Sequence, residues 1–296
     1  MTPDPIPAAR GKAPADPSLR RALTLPLLTL YGLGVTVGAG IYVLIGATAA
    51  DAGPYAWAAF LLAAIVAAFT AFSYAELATR YPVSAGESAY VEAGFGRADL
   101  ATAVGALVAA SGLVSASAIT IGASAYLGGL TGAPAPALIV GIVAAMGLLA
   151  CWGITHAVTA GAIVRVIEIL GLFFVIVWGF AVSERLGVPA AALVPPLLGG
   201  HWAGIVGATV LAFFAFIGFE DMVNDAEEVE NPRRTFPRAI IYTITLATAL
   251  YVATCIAVLV SVPLSALAGS SAPLTLVFAG APDWVQAGFA AIAVVA

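Results

Sequence analysis

Residues 31–46 read YGLGVTVGAGIYVLIG, and this stretch decides what kind of fold the chain forms. Five glycines lie in one apolar run, although each glycine weakens a helix by about 1 kcal/mol relative to alanine. Three structures tolerate such a run: a loop that binds phosphate, a helix face that packs closely against another helix, and a helix that is interrupted. The rest of the sequence distinguishes among them.

The composition of the chain is that of a membrane protein. Its 296 residues are 62% hydrophobic and only 9% charged, with a mean hydropathy of +1.05. Soluble domains carry about 25% charged residues, so a chain this poor in charge could not cover a water-exposed surface. No basic patch of the kind that binds nucleic acid is present. The lipid bilayer is therefore the expected partner, and nucleic acid is not.

Seven apolar stretches are long enough to cross a bilayer as helices, which takes about 20 residues each. They are 23–49, 54–78, 99–128, 136–154, 158–182, 203–224 and 237–262. An eighth stretch begins near Trp284 and reaches Ala296, which is too short to cross. We therefore predict an all-α transmembrane domain over residues 22–296 that is truncated in its eighth helix. The polar, proline-rich residues 1–21 predict a disordered tail.

The basic residues predict how the chain is oriented, because lysine and arginine favour the cytoplasmic side of a membrane. With the N-terminus inside, the outer loops contain one basic residue, Arg185. This asymmetry predicts a multi-pass protein of the inner (cytoplasmic) membrane with a cytoplasmic N-terminus and tail. The residues then placed inside are Arg10, Lys12, Arg20, Arg21, Arg80, Arg97, Arg233, Arg234 and Arg238.

The glycine run fits an interrupted helix better than the other two structures. Gly32 and Gly34 are followed by Gly38 at the wrong distance for a dinucleotide fingerprint, and no phosphate-loop lysine follows. Close packing accounts for Gly34 and Gly38, but it does not require the crowded Gly38-Ala39-Gly40. An interrupted helix offers free amides and a positive dipole end to an anionic group at mid-membrane.

A second interruption is predicted in the sixth span, where residues 211–232 read LAFFAFIGFEDMVNDAEEVENP. Gly218 lies in the middle of the apolar part, and Glu220 and Asp221 follow earlier than a plain spanning helix allows. Transporters built from inverted repeats carry interrupted helices at corresponding positions of their two halves. The two interruptions lie five spans apart, so the pattern predicts broken first and sixth helices in a five-plus-five repeat.

Three motifs, in this order, resemble the amino acid–polyamine–organocation transporters. They are GVTVGAGIY at 34–42, YAELATRYPVSAG at 74–86, and FFAFIGFE at 213–220 with NPRRTFP at 231–237. The resemblance implies a bundle like the bacterial leucine transporter, with ten core helices in two inverted repeats and usually two more. The chain would then hold about seven to eight of ten to twelve helices.

The resemblance also implies where an amino acid would bind. It places the substrate carboxylate on four backbone amides, those of Gly38, Ala39, Gly40 and Ile41. It places the substrate amino group on three backbone carbonyls, those of Phe214, Ala215 and Ile217. Phe219 matches the aromatic residue that closes over the substrate. These roles agree with the chemistry of a zwitterion, which needs hydrogen-bond donors at one end and acceptors at the other.

Glu168 is a candidate for proton coupling. Some members of the family carry a lysine in the fifth helix that takes part in coupling, and the matching position in this chain is Glu168. An ionisable group inside a span is costly and is a functional candidate by default. The alternative is a structural pair with a neighbouring helix.

The loop that follows the second span is predicted to contain a short helix. Residues 84–97 read SAGESAYVEAGFGR, and Ser84 with Glu87 three positions later forms a capping-box pattern. In that arrangement the two side chains would bond to each other's backbone amides at the start of the helix.

The sequence predicts secondary active transport of amino acids, coupled to protons or working by exchange. The alternatives are a polyamine or other organic-cation transporter, and a non-transporting receptor or partial protein on the same fold. An enzyme is not predicted, because neither H-E-x-x-H nor G-x-S-x-G is present. Neither a cofactor nor a metal is predicted. A small-molecule substrate, an amino acid or an amine, is predicted. The oligomeric state is left open.

Overall fold

The computed structural model describes residues 21–84, 86–151, 154–181, 187–196 and 199–295. Residues 1–20 of the predicted tail lie outside these ranges. All regular structure within them is helical, apart from an isolated parallel bridge between Leu23 and Val229. The prediction of an all-α protein is therefore confirmed.

The α-helices follow the predicted spans closely. Their bounds are α1 Leu25–Thr36, α2 Ala39–Ala52, α3 Ala56–Arg80, α4 Gly86–Phe95, α5 Ala98–Thr131, α6 Ala135–Cys151, α7 Ile154–Ala181, α8 His201–Phe214, α9 Pro232–Ser261, α10 Leu264–Ala268 and α11 Asp283–Val295. Short 3₁₀ helices cover Gly53–Tyr55, Ala190–Leu193, Phe219–Glu228 and Pro273–Phe278.

Five stretches of the described residues are long and apolar enough to cross a membrane. They are Gly40–Arg80, Ala98–Thr131, Ile163–Ala181, His201–Glu228 and Pro232–Ser261. The helices α5 and α6 expose large apolar side chains, among them Leu113 and Leu148, as surfaces that contact lipid tails do. The protein is therefore a multi-pass membrane protein.

The predicted span 23–49 is divided between two helices. α1 ends at Thr36, and α2 begins at Ala39. Between them Val37 and Gly38 have extended backbone, with φ/ψ of −80°/94° and −136°/−161°. We call residues 36–40, which include these two and the helix ends that flank them, the first junction.

The predicted span 203–224 is also divided. α8 ends at Phe214, and the 3₁₀ helix Phe219–Glu228 begins after a turn over residues 215–218, which we call the second junction. Gly218 has φ of 128°, a conformation that side-chain-bearing residues avoid. A Cβ atom on Gly218 would also overlap the carbonyl oxygen of Val35 at the end of α1. Glycine is therefore required here by both backbone conformation and space.

The core forms where α1, α2, α3, α7 and α8 pack around one another and around α9. One face of α3 is lined with buried alanines, including Ala59, Ala63 and Ala67. Small residues let helix backbones approach closely in a membrane, where packing rather than the hydrophobic effect drives association. The two junctions lie inside this close-packed group.

Arg80 ends α3, Arg97 follows α4, and Arg233, Arg234 and Arg238 lie in the first turns of α9. Hydrogen bonds between Ser84 and Glu227 join the segment after α3 to the segment before α9, and we call this part of the bundle the basic end. The short helix α4 docks there through Tyr90, which is buried and lies 6.4 Å from Tyr81 between ring centroids. Burial, aided by the nearby Glu87 carboxylate, raises the pKa of the Tyr90 hydroxyl to about 12. Its hydroxyl therefore stays neutral at physiological pH.

The predicted capping box between Ser84 and Glu87 is wrong. The Ser84 N–H donates to Glu227 Oε1 at 3.2 Å, and Ser84 Oγ accepts the Glu227 N–H at 3.4 Å. Glu87 Oε1 instead accepts the Tyr74 hydroxyl at 2.7 Å. The helix α4 begins only at Gly86, so Ser84 lies too far from the helix start to cap it. Partners distant in the chain replace the local ones.

Candidate functional site

The two junctions touch each other in the interior of the bundle. A Cβ atom placed on Gly40 would lie 2.8 Å from Cα of Ala215, which is closer than Cβ atoms in proteins approach other atoms. The start of α2 and the second junction are therefore in direct backbone contact. Two of the residues predicted to bind substrate, Gly40 and Ala215, therefore meet in space although 175 positions separate them.

The start of α2 has amides without a helical acceptor. The first N–H groups of any helix lack one, and no side chain caps those of α2. The Ile41 N–H is the exception, since it donates to the Gly38 carbonyl at 3.3 Å. The amides of Ala39 and Gly40 are therefore the donors that this helix start can offer to an anionic group.

The predicted acceptors at the second junction are partly used within the protein. The Phe214 carbonyl accepts the Ile217 N–H at 3.2 Å, and the Ala215 carbonyl accepts the Tyr251 hydroxyl at 2.7 Å. A carbonyl oxygen has two lone pairs, so both can accept a further hydrogen bond. Phe214 and Ile217 themselves are half-buried.

Tyr251 was not singled out by the sequence, yet it connects the two junctions. Its hydroxyl lies 2.7 Å from the carbonyl oxygens of both Thr36 and Ala215. The side chain is fully buried in α9, and its ring packs edge-on against Phe216 with 5.0 Å between centroids. No motif marks this position, because a tyrosine in an apolar helix is not distinctive.

Phe219, the predicted closing aromatic, is packed inside the protein. It is buried and meets Tyr74 edge-on, with 5.7 Å between ring centroids. The next residue, Glu220, accepts the Gly218 N–H on Oε2 at 2.8 Å. The Glu220 carboxylate therefore satisfies a backbone N–H group of the second junction.

Glu168 lies in α7 beside the first junction. The residue is only 2% exposed, and its Oε1 has no hydrogen-bond partner among the described residues. A Cβ atom on Gly38 would lie 3.9 Å from this oxygen, so the carboxyl group faces the junction. Its backbone carbonyl accepts the Tyr42 hydroxyl at 2.9 Å, which joins α7 to α2. No ion pair to a neighbouring helix occurs within the described ranges.

These features define a class of protein: a multi-pass helical membrane protein whose interior presents backbone donors, backbone acceptors and a buried carboxyl group at one place. The family model for amino acid permeases matches residues 28–289. The chain belongs to the amino acid permease family. The resemblance seen in the sequence motifs is thereby confirmed.

Individual relatives have different substrates in their names. The chain is 34% identical over 284 residues to the vacuolar cationic amino acid transporter 2 of Arabidopsis thaliana, which covers 88% of this chain and 44% of that protein. It is 32% identical over 295 residues to a branched-chain amino acid permease of Bacillus subtilis, covering 91% and 61%. It is 30% identical over 261 residues to a methylthioribose transporter of Bacillus subtilis, covering 80% and 54%. The chain thus spans about half the length of the curated relatives it matches.

Proposed function

We propose that the protein carrying this chain is a secondary transporter of amino acids in the cytoplasmic membrane, with a cytoplasmic N-terminus. The observation that carries the proposal is the contact between the two junctions, where Gly40 abuts Ala215. Two interrupted helices that meet at mid-membrane form the usual binding place of inverted-repeat transporters. The proposed architecture is accordingly a bundle like that of the leucine transporter.

The substrate zwitterion would bind between the junctions. Its carboxylate would accept hydrogen bonds from the amides of Ala39 and Gly40, supported by the positive end of α2 and by the room that Gly38 leaves. Its amino group would donate hydrogen bonds to three backbone carbonyl oxygens. Those of Phe214 and Ala215 each have a lone pair left, and that of Ile217 is the third. Phe219, packed beside the second junction, would form part of the cover over the substrate.

A second candidate, transport of a polyamine or other organic cation, is favoured by one observation. Glu168 is a buried carboxyl group that faces the first junction without a hydrogen-bond partner among the described residues. A cationic group of the cargo would supply that partner. The names of the relatives include cationic and branched-chain amino acids, so they do not choose between the two kinds of cargo.

Uptake into liposomes that contain the purified protein tests the proposal. We expect labelled amino acids to accumulate, with competition by other amino acids and no requirement for ATP. Accumulation of putrescine or spermidine in place of amino acids would favour the second candidate. Failure of every amino acid and amine to bind or to be taken up would contradict both, and would leave a non-transporting receptor or partial protein on this fold.

Replacing Glu168 with glutamine tests whether this residue carries the coupling proton. If it does, uptake by the parent protein changes with pH, because the carboxyl group gains and loses a proton during the cycle. The amide of Glu168→Gln does not titrate, so we expect its uptake to be independent of pH. The control is Glu76→Gln, which removes an exposed carboxylate paired with Arg80 and should keep the parent profile. A parent-like pH profile for Glu168→Gln would rule out the proton-carrier role.

A further inference from the structure

Arg165 is a half-buried cation inside the bundle that the proposed binding site does not use. It lies in α7, one turn before Glu168, and its side chain extends across α1. A Cβ atom on Gly34 would overlap the Cγ and Cδ atoms of Arg165. The absence of a side chain at Gly34 therefore creates the groove in which the stem of the arginine lies.

The charged end of Arg165 meets an aromatic ring on α1. Its guanidinium lies over the Tyr31 ring, with 4.7 Å between the guanidinium carbon and the ring centroid. The Asp225 carboxylate, in the 3₁₀ helix Phe219–Glu228, lies within electrostatic range of both Tyr31 and Arg165. A cation is costly inside a membrane unless such partners surround it.

The helix that Arg165 contacts, α1, is joined to the segment Phe219–Glu228. The N–H groups of Ala22 and Leu23 donate to the Glu228 carbonyl at 2.9 Å each, and the Glu230 N–H donates to the Leu23 carbonyl at 3.0 Å. Gly32 of α1 also lies directly against the Met222 side chain. α1 and Phe219–Glu228 therefore form one unit at the basic end of the bundle, and Arg165 connects this unit to α7.

We propose that Arg165 is a latch that holds this unit against α7 and closes the path from the two junctions to the basic end. Opening the path requires the arginine to leave Gly34 and Tyr31 together and to exchange its partners for water. Because the stem must leave its groove at Gly34 at the same time as the guanidinium leaves the Tyr31 ring, we expect a closed and an open state with few intermediates. The inference adds access control to the proposed transport function, but it concerns the unit itself and does not depend on which substrate binds.

Hydrogen–deuterium exchange of the intact chain in lipid nanodiscs tests the latch. In Arg165→Gln we expect backbone amides of 25–36 and 219–228 to exchange about tenfold faster than in the parent, because the half-buried cation–π contact between Arg165 and Tyr31 opposes opening. Arg165→Lys keeps a charge but not the planar group, so its exchange should be intermediate. The matched control is Arg238→Gln, which removes an exposed arginine at the same end and should exchange like the parent.

Two further variants keep the test decisive if Arg165→Gln does not fold. Gly34→Val fills the groove and Tyr31→Leu removes the ring, so each should raise exchange in the same two segments. The latch is supported when the increase is confined to 25–36 and 219–228. The proposal is contradicted if these variants exchange like Arg238→Gln, or if the amides of α5 show the same increase in exchange. Loss of amino acid binding by the parent would contradict the transport proposal but would leave this exchange result as it stands.

Discussion

Replacing Gly40 with leucine is expected to weaken substrate binding strongly. The Cβ atom alone would lie 2.8 Å from Cα of Ala215. This is a backbone atom, which cannot move away by a change of rotamer, so the two junctions must separate. Overpacking of a dense core costs about 1–3 kcal/mol. A site whose donors lie on one junction and whose acceptors lie on the other loses at least this much affinity, which corresponds to about 5- to 150-fold weaker binding.

The matched control is Gly207→Leu in α8, where a Cβ atom meets nothing within 4 Å. Binding of labelled amino acid to the detergent-solubilised protein is measured for both variants beside the parent. We expect Gly207→Leu to bind like the parent. If Gly40→Leu binds as tightly as Gly207→Leu, the junction contact is not the substrate site, and the central proposal fails.

Removing one oxygen atom, in Tyr251→Phe, is expected to have the second large effect. The Tyr251 hydroxyl is the buried donor that lies 2.7 Å from the carbonyls of Thr36 and Ala215. Without it, the Thr36 and Ala215 carbonyl oxygens lose the single O–H donor that they share, in a place that water does not readily enter. Leaving a buried polar group unsatisfied costs about 1–3 kcal/mol, so the melting temperature should fall. The junctions also lose their common anchor, so substrate affinity should drop by about tenfold.

Tyr242→Phe is the control for this prediction. Tyr242 lies in the same helix, but it is 49% exposed on the outer face of α9. Removing its hydroxyl leaves the two junctions untouched, so we expect parent-like melting and affinity. Equal effects of the two substitutions would show that the bridge between Thr36 and Ala215 has no special role.

The extent of the helices was predictable because it depends on local chemistry. A run of about 20 apolar residues must form a helix in a membrane, since each backbone group needs an internal partner. The predicted start of the seventh span at residue 237 was five residues late, because α9 already begins at Pro232. Proline fits the first turn of a helix, where its missing N–H would have no acceptor.

Polar contacts between distant segments were not predictable in this way. The Ser84 and Glu87 pattern is a sound local rule, yet Ser84 pairs with Glu227, 143 positions away. A loop side chain can bond to any partner that folding brings within reach. The local sequence shows only the partners that are close along the chain. Arg165 shows the same limit, since its groove is formed by Gly34 on another helix.

The sequence by itself determined that this protein is a helical membrane protein, because composition and span length act through local backbone physics. Its three motifs indicated the transporter family by resemblance. It also marked Gly38, Gly40 and Gly218 as the places where two spans are interrupted. Only the tertiary structure decided what those glycines face. Tyr251 reaches the Thr36 carbonyl from 215 positions away, and Glu168 faces Gly38 from another helix. Such meetings depend on how whole helices pack, and no local pattern of residues encodes them.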